Sequence, residues 1–439
     1  MNDTSLQQPS SYNQGESSRA RWYVLLLLIC GYVIYTLDKQ IISVLIEPIK
    51  AEFGISDTTI SLLAGLAVTL PFALACIPIG MLADRVNRKR LLVILVVGWS
   101  LMTGMAGLAT TVALLFLSRA GVGAFEAGFS PLSLSVISDS FARRQRATAM
   151  GLFTLGPPIG AFLGLAVGGY VAATYGWRMA FFMCVIPGLL LALLIGLTVR
   201  EPVRGRYDPP SADATSMPLT AVLRHIWKDR ALFNILMAMV FCTVLPAVIT
   251  VWTPSFLIRV HGMSLQQAGV ASSIALGLFG ALGAAGAGVI ADQLGKQHEW
   301  RKLLCPLIGI SLSIVFAALT FLTLPGPTLT VVLLSALACF AQFYMGTGYS
   351  VVTTLCPPNM RGTTLSILLL AFNFGSYGLG LLMLGMLNDA LQPLAGSRAI
   401  AYGMCASALF SVVGMLCVWR TISHMRNPHR ATAVQHAAA

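Results

Sequence analysis

Gly80-Met-Leu-Ala-Asp84-Arg85-Val-Asn87-Arg88-Lys89-Arg90 crowds its charged side chains into one short segment, and on both sides of it the chain turns apolar for the length of a membrane crossing. A helix rises about 1.5 Å per residue, so about twenty apolar residues cover the roughly 30 Å of hydrocarbon in a bilayer. A charged loop between two such runs joins two spans on one face of a membrane. Outward from this loop the same unit recurs: apolar spans are read at 22–46, 57–82, 89–110, 112–140, 146–172 and 177–199, then at 232–258, 264–292, 301–324, 327–354, 361–388 and 397–420. Of 439 residues, 56% are hydrophobic and 10% charged, where a soluble domain has about a quarter charged. The sequence therefore predicts an all-α membrane protein of twelve transmembrane helices.

The polar stretch 200–230, with Pro209 and Pro210, divides the chain into two six-helix bundles, 22–199 and 231–420. Residues 1–21 and 421–439 read as polar tails, the first of them disordered. No small-residue cleavage site follows the first apolar run, so it reads as a retained span rather than a signal peptide. Twenty-two of the 28 Lys and Arg residues fall on the side of the tails and the linker. The opposite side has Lys50, Arg178, Arg259 and Arg398, while Lys39 and Arg119 lie inside spans. Short loops rich in Lys and Arg stay cytoplasmic, so the expectation is a multi-pass inner-membrane protein with both termini in the cytoplasm. Gly80-Met-Leu-Ala-Asp84-Arg85 is echoed by Gly288-Val-Ile-Ala-Asp292-Gln293 in the second bundle, the mark of a duplicated unit with a substrate site between its copies.

Several function classes are excluded on these grounds. The net charge of +12 is dispersed through connecting loops instead of forming the basic face that nucleic acid requires. Nine Cys are scattered without a CxxC pair, which gives no zinc or disulfide framework. The six His, at 225, 261, 298, 424, 429 and 436, lie outside the spans, so neither a metal centre nor a nucleophile with its base is expected there. No phosphate-cradling loop is present for ATP hydrolysis. A sensor has no room for a signalling domain in tails this short or in the linker. No cofactor is expected, and the protein is expected not to be an enzyme.

Charged residues inside spans are expensive and mark function. Arg119-Ala-Gly121-Val-Gly123-Ala-Phe-Glu126 places Arg119 and Glu126 two helical turns apart, on one face, which must be the bundle interior. Asp38 and Lys39 interrupt the first span in Tyr35-Thr36-Leu37-Asp38-Lys39, toward its outer half. Burial disfavours the charged form of a carboxylate and a nearby cation favours it, so changing surroundings can load and release a proton. The simpler alternatives are a structural Arg119–Glu126 pair and mutual neutralisation of Asp38 and Lys39 at a wet helix end.

The 80–90 loop resembles the signature between the second and third helices of the major facilitator superfamily. In that reading Gly80 admits a neighbouring helix, Asp84 accepts hydrogen bonds at a partner helix's N-terminus, and Arg85, Arg88 and Arg90 pair with it, forming a conformational latch. Asn87 stands where the family usually has Gly, a residue that also tolerates a left-handed turn. The Arg119–Glu126 segment resembles a second signature of the family. Gly156-Pro157-Pro158-Ile159-Gly160 resembles its antiporter signature, a helix bent by proline and closely packed through glycine. With Phe256-Leu-Ile-Arg259-Val-His-Gly-Met-Ser-Leu, the whole is similar to the spinster branch, although Lys39 replaces the Arg usual after that Asp and cannot form its bidentate fork.

The resemblance implies two pseudo-symmetric six-helix bundles, a monomer working by alternating access, Asp38 and Glu126 as proton carriers, and Arg119 with Lys39 and Tyr35 as charge or substrate partners. The branch includes exporters of sphingosine phosphate and lysophospholipids. The expected partners are thus the lipid bilayer, protons and an amphiphile or organic anion, with export of a lysolipid-like solute favoured. Small organic or aromatic acids, held by Lys39 and Arg119, are the alternative cargo. In the second bundle Trp252, Gln342, Tyr344, Tyr349, Asn373 and Tyr377 are candidate pocket residues, because aromatics and amides inside spans can bind an amphiphile.

Overall fold

The structure, a computed structural model, describes residues 18–204 and 218–426, except for the side chains of Ser18, Asp84, Arg143 and Pro358. It is helical throughout the described residues. The first half holds α1 (Ser18–Phe53), α2 (Asp57–Ala64 and Leu66–Arg85), α3 (Arg88–Gly107), α4 (Val112–Glu126 and Phe129–Ser140), α5 (Arg143–Phe153 and Gly156–Tyr175) and α6 (Trp177–Thr198). A short helix α7 (Leu219–Lys228) precedes the second half. That half holds α8 (Arg230–His261), α9 (Leu265–Gly295), α10 (Leu304–Phe321), α11 (Pro327–Ala341 and Phe343–Leu355), α12 (Arg361–Ala395) and α13 (Ala399–Met425).

Eleven continuous helical stretches are long and apolar enough to cross a membrane, the last of them 65 residues from Arg361 to Met425. At about 1.5 Å per residue that stretch exceeds three bilayer cores, and the turn at Gly396–Arg398 folds it into two crossings, which makes twelve. An even number of crossings leaves Ser18, α7 and Met425 on one face, here the terminal face.

Where the helices outrun the spans read from hydropathy, polar contacts explain it. The first span was expected over 22–46, yet α1 continues to Phe53 because its charged last turns find partners. Glu52 accepts from Trp177 Nε1 at 2.7 Å and from Arg178 at 2.6 and 2.7 Å. Asn87 does not adopt the left-handed turn expected of it. At φ −66° it caps α3, accepting from the Arg90 amide at 2.9 Å.

Within the first half, α5 lies on α1 through glycines one turn apart. A Cβ on Gly156 would stand 2.8 Å from that of Tyr32, and one on Gly164 would stand 2.9 Å from the Leu37 carbonyl oxygen. This backbone-to-backbone approach fixes Leu37, Asp38 and Lys39 in place. Gly164→Val is expected to cost about 1–3 kcal/mol of stability by overpacking. A fall in detergent melting temperature would register it, and an unchanged melt would mean that α1 yields freely. Pro157 and Pro158 occupy the first turn of the second segment of α5, after a break at Thr154-Leu155, so they restart the helix and do not kink its interior.

At the terminal face Arg88, 4% exposed, ties three elements together. It reaches Asp139 of α4 at 2.5 Å, Glu201 after α6 at 3.0 Å and the Pro202 carbonyl at 3.0 Å. The expected pairing of the Arg cluster with Asp84 cannot be followed, since that side chain lies outside the described residues, while Arg85 and Arg90 are exposed. Arg88→Met leaves the buried Asp139 carboxylate without this guanidinium, and breaking such a pair costs about 3–5 kcal/mol. Loss of monodisperse protein on heating at a markedly lower temperature is the expected readout; wild-type behaviour would show that the pair is only decorative.

Candidate functional site

Three of the four charged residues expected inside spans converge in the interior of the first half. Asp38 of α1, Arg119 of α4 and Glu126 of α4 are 1%, 1% and 2% exposed. Thr103 of α3, which the sequence reading did not single out, donates to Asp38 Oδ2 at 2.5 Å. Asp38 Oδ1, Glu126 Oε1 and two of the guanidinium nitrogens of Arg119, Nε and Nη1, are buried with no hydrogen-bond partner. Arg119 acts electrostatically on both carboxylates, and they act on each other. Among the described residues no ion pair closes between Arg119 and either acid. Buried polar groups normally find partners, so these four unpartnered atoms make the three side chains a candidate site.

Lys39 leaves α1 on a different side from Asp38 and reaches toward the second half, while staying in electrostatic range of Glu126 and Arg119. Consecutive helical residues point about 100° apart, and the Lys39 ammonium stands 4.8 Å from the centre of the Tyr377 ring of α12, across the boundary between halves. Mutual neutralisation of Asp38 and Lys39 is therefore not what the structure shows. Tyr35 lies against Phe129 at 6.2 Å and Trp99 at 6.3 Å, within electrostatic range of Glu126 and Tyr377. Tyr344, 7% exposed, is packed in the core of the second half, and the half-buried Tyr349 packs against that core, in electrostatic range of Tyr32.

The remaining candidates separate. Trp252 is 0% exposed in the core of the second half, with the Arg259 guanidinium 5.6 Å over its ring, so it offers a solute no surface in this conformation. Asn373 turns its amide back to the Leu369 carbonyl at 2.9 Å, and Gln342 occupies the break within α11. Tyr377 belongs to a π-helical turn, Asn373–Gly380, and its carbonyl presses on Gly65 at the break in α2. Such turns recur at functional sites because they re-aim side chains.

A charged lock on the face opposite the termini was read from the sequence only as scattered loop charges. Arg259 of α8 holds Asp57 of α2 in a two-pronged bond at 2.7 and 2.9 Å and Glu47 of α1 at 2.8 Å. Lys50 also pairs with Asp57, and Asn388 of α12 donates to it at 3.2 Å. Asp389 caps the start of α2, accepting from the Asp57 and Thr58 amides at 2.9 Å each. Nearby, α5 and α9 approach across the halves so closely that a Cβ on Gly169 would stand 3.1 Å from the Gly269 Cα. Toward the terminal face the picture reverses. A Cβ on Gly80, Gly151, Gly288 or Gly362 would meet nothing within 4 Å, so the helix approach expected at Gly80 is not made here. The polar contacts that cross between the halves gather at the opposite face, which is closed in this structure.

A helical chain of twelve crossings, two halves and a charged mid-membrane site has relatives. The model of the Major Facilitator Superfamily matches residues 28–376. The chain belongs to the major facilitator superfamily. Within it the chain is spinster-like: its structure superposes at a TM-score of 0.84, with 26% identity over 93% of this chain and 98% of the other, on a bacterial homolog to the human lysosomal transporter Spinster in an inward-facing and unoccupied conformation. An MFS-type efflux pump of Mycolicibacterium smegmatis is 27% identical over 93% of this chain and 94% of its own length. The sphingosine-1-phosphate transporter SPNS2 of Danio rerio is 28% identical over 53% of this chain and 47% of its own. This spinster-like member of the superfamily is thus a multi-pass membrane protein with the fold of a transporter.

Proposed function

We propose that the protein is a proton-coupled secondary transporter that exports an amphiphilic or anionic, lysolipid-like solute across the inner membrane by alternating access. The observation that carries the reading is the pair of buried carboxylates, Asp38 and Glu126, each with an unpartnered oxygen, with Arg119 acting on both and Lys39 acting on Glu126 as well. Burial disfavours the charged form of each acid, the two acids disfavour it in each other and the cations favour it, so a change of surroundings loads a proton in one conformation and releases it in the other. Lys39 offers a point cation to an anionic head, and Tyr35, Tyr349 and Tyr377 offer aromatic surface to its apolar body. The efflux pump and the sphingosine-1-phosphate transporter support export and an amphiphilic anion by likeness. The halves 22–199 and 231–420 would rock about the site, with the terminal face, where basic residues concentrate, in the cytoplasm.

The test is proton flux into liposomes holding wild type, Asp38→Asn or Glu126→Gln, challenged in turn with lysolipids, sphingoid phosphates and aromatic acids. Wild type is expected to move protons with one cargo class, and either variant to fall to the empty-liposome background while staying folded. Flux in both variants equal to wild type would make the acids structural. Activity with aromatic acids alone would replace the lysolipid-like cargo by small organic acids.

A further inference from the structure

The segment between the halves, expected to be a plain linker, contains α7, whose sequence Leu219-Thr-Ala-Val-Leu-Arg-His-Ile-Trp-Lys228 has two faces. At about 100° per residue, Val222, Ile226, Leu219, Leu223 and Trp227 share one continuous arc, and Arg224 and Lys228 stand on the other side. The apolar arc is itself divided. Val222 and Ile226, 0% and 7% exposed, pack into the second-half core with Leu232 and Leu368, anchoring the helix on α8 and α12. Leu219, Leu223 and Trp227, four residues apart, are 55%, 39% and 72% exposed. Half of the apolar face is thus covered by protein and half by nothing in this chain.

We propose that α7 lies in the headgroup layer of the leaflet on the terminal face and is a docking surface for anionic phospholipids. Two observations choose this occupant over a soluble protein. The uncovered stripe continues the lipid-facing surface of the second half: the Trp227 ring stacks on Phe233 at 5.0 Å, in the first turns of α8 where that helix enters the membrane, and Leu369 and Leu370 of the neighbouring α12 are also exposed. The charge is complementary as well. Arg224 and Lys228 are exposed, Arg230 follows them, His225 is half-buried, and α7 carries no carboxylate. Asp229, the one acid beside it, accepts from the Ala231 and Leu232 amides at the start of α8. An apolar stripe ending in tryptophan, beside a basic edge, is the pattern of a helix lying in a membrane interface. Anionic lipids attract basic side chains held at that depth.

The experiment uses the full chain in vesicles of phosphatidylcholine with and without phosphatidylglycerol. The Trp227 signal is taken as the difference between wild type and Trp227→Phe. Lipid carrying a shallow nitroxide is expected to quench it and aqueous iodide to leave it nearly untouched. Iodide quenching at the level of a free indole, with no effect of the nitroxide lipid, would overturn the proposal and leave the stripe to a soluble partner. Retention of phosphatidylglycerol over phosphatidylcholine on the purified protein is then compared between wild type and Arg224→Gln/Lys228→Gln, a pair that leaves Val222 and Ile226 in place. At roughly fivefold per basic residue the preference is expected to fall more than tenfold at low salt, and by less at high salt, where headgroup attraction is screened. An undiminished preference in the double variant would equally overturn the assignment. Neither readout depends on transport, so the result stands apart from the proposed cargo.

Discussion

Arg119→Met is expected to lower cargo-driven proton flux at least a hundredfold while leaving the protein inserted and helical. Methionine fills the volume and keeps the α4 backbone, so what disappears is charge. Asp38 and Glu126, 1% and 2% exposed, then face each other without the cation that acts on both. Losing one partner of a buried charge set costs about 3–5 kcal/mol, and about 1.4 kcal/mol is a factor of ten. The acids escape that cost by holding protons in every conformation, and an acid that never lets go carries nothing. Arg119→Lys separates charge from geometry. It restores a cation but not a planar fork, so partial flux is expected if the guanidinium works as a shared counter-charge. Flux measured with a pH-sensitive dye inside liposomes decides between them. Wild-type flux in Arg119→Met would remove Arg119 from the mechanism and leave the two acids coupled to each other, with Lys39 as the cation acting on Glu126.

The parts of the fold that were legible in the sequence rest on the coarsest physics. Hydrocarbon thickness selects runs of about twenty apolar residues, and the exclusion of unpaired charge from lipid forces Arg119 and Glu126 onto one interior face. Asp38 was visible for the same reason. Its partner Thr103 was not, because a threonine in a span looks like any small, weakly polar packing residue until another helix brings a carboxylate within 2.5 Å of it. Trp252 misled, since an aromatic in a span packs or binds according to contacts made far away in sequence, and here the partner is Arg259 above its ring. Helix α7 was hidden by length. Ten residues cannot cross a bilayer, and hydropathy averaged over a span-sized window blends its apolar stripe with the polar residues on either side. The lock on the opposite face was hidden by its dispersion: Glu47, Asp57, Arg259, Asn388 and Asp389 come from four separate helices, and only the closed conformation gathers them.

That lock gives the second large expected effect, because its members are not equivalent. Arg259, Asn388 and Asp389 reach Asp57 and its helix start from the second half, whereas Lys50 reaches Asp57 from within the first. Only bonds that cross the halves must break for the opposite face to open. Arg259→Gln removes the two-pronged hold on Asp57 and the bond to Glu47 in the closed state. In the open state both acids are hydrated, so the same substitution costs little there. Charge-assisted bonds of this kind contribute about 1.5–3 kcal/mol each, and a net shift of about 3 kcal/mol moves the equilibrium more than a hundredfold toward opening at the opposite face. Lys50→Gln weakens the same carboxylate's surroundings equally in both states and is expected to shift the equilibrium far less. Spin labels at Tyr175→Cys and Leu394→Cys, 64% and 85% exposed and on opposite halves of that face, report the opening by pulsed-EPR distance once the exposed Cys30 and Cys76 are replaced. A longer population in Arg259→Gln and a wild-type distribution in Lys50→Gln is the expected pair of results. Equal shifts in both would mean that the charge around Asp57, and not the crossing of the halves, holds the face closed. No shift in either would mean that apolar contacts such as Gly169 on Gly269 hold the opposite face shut without the charges.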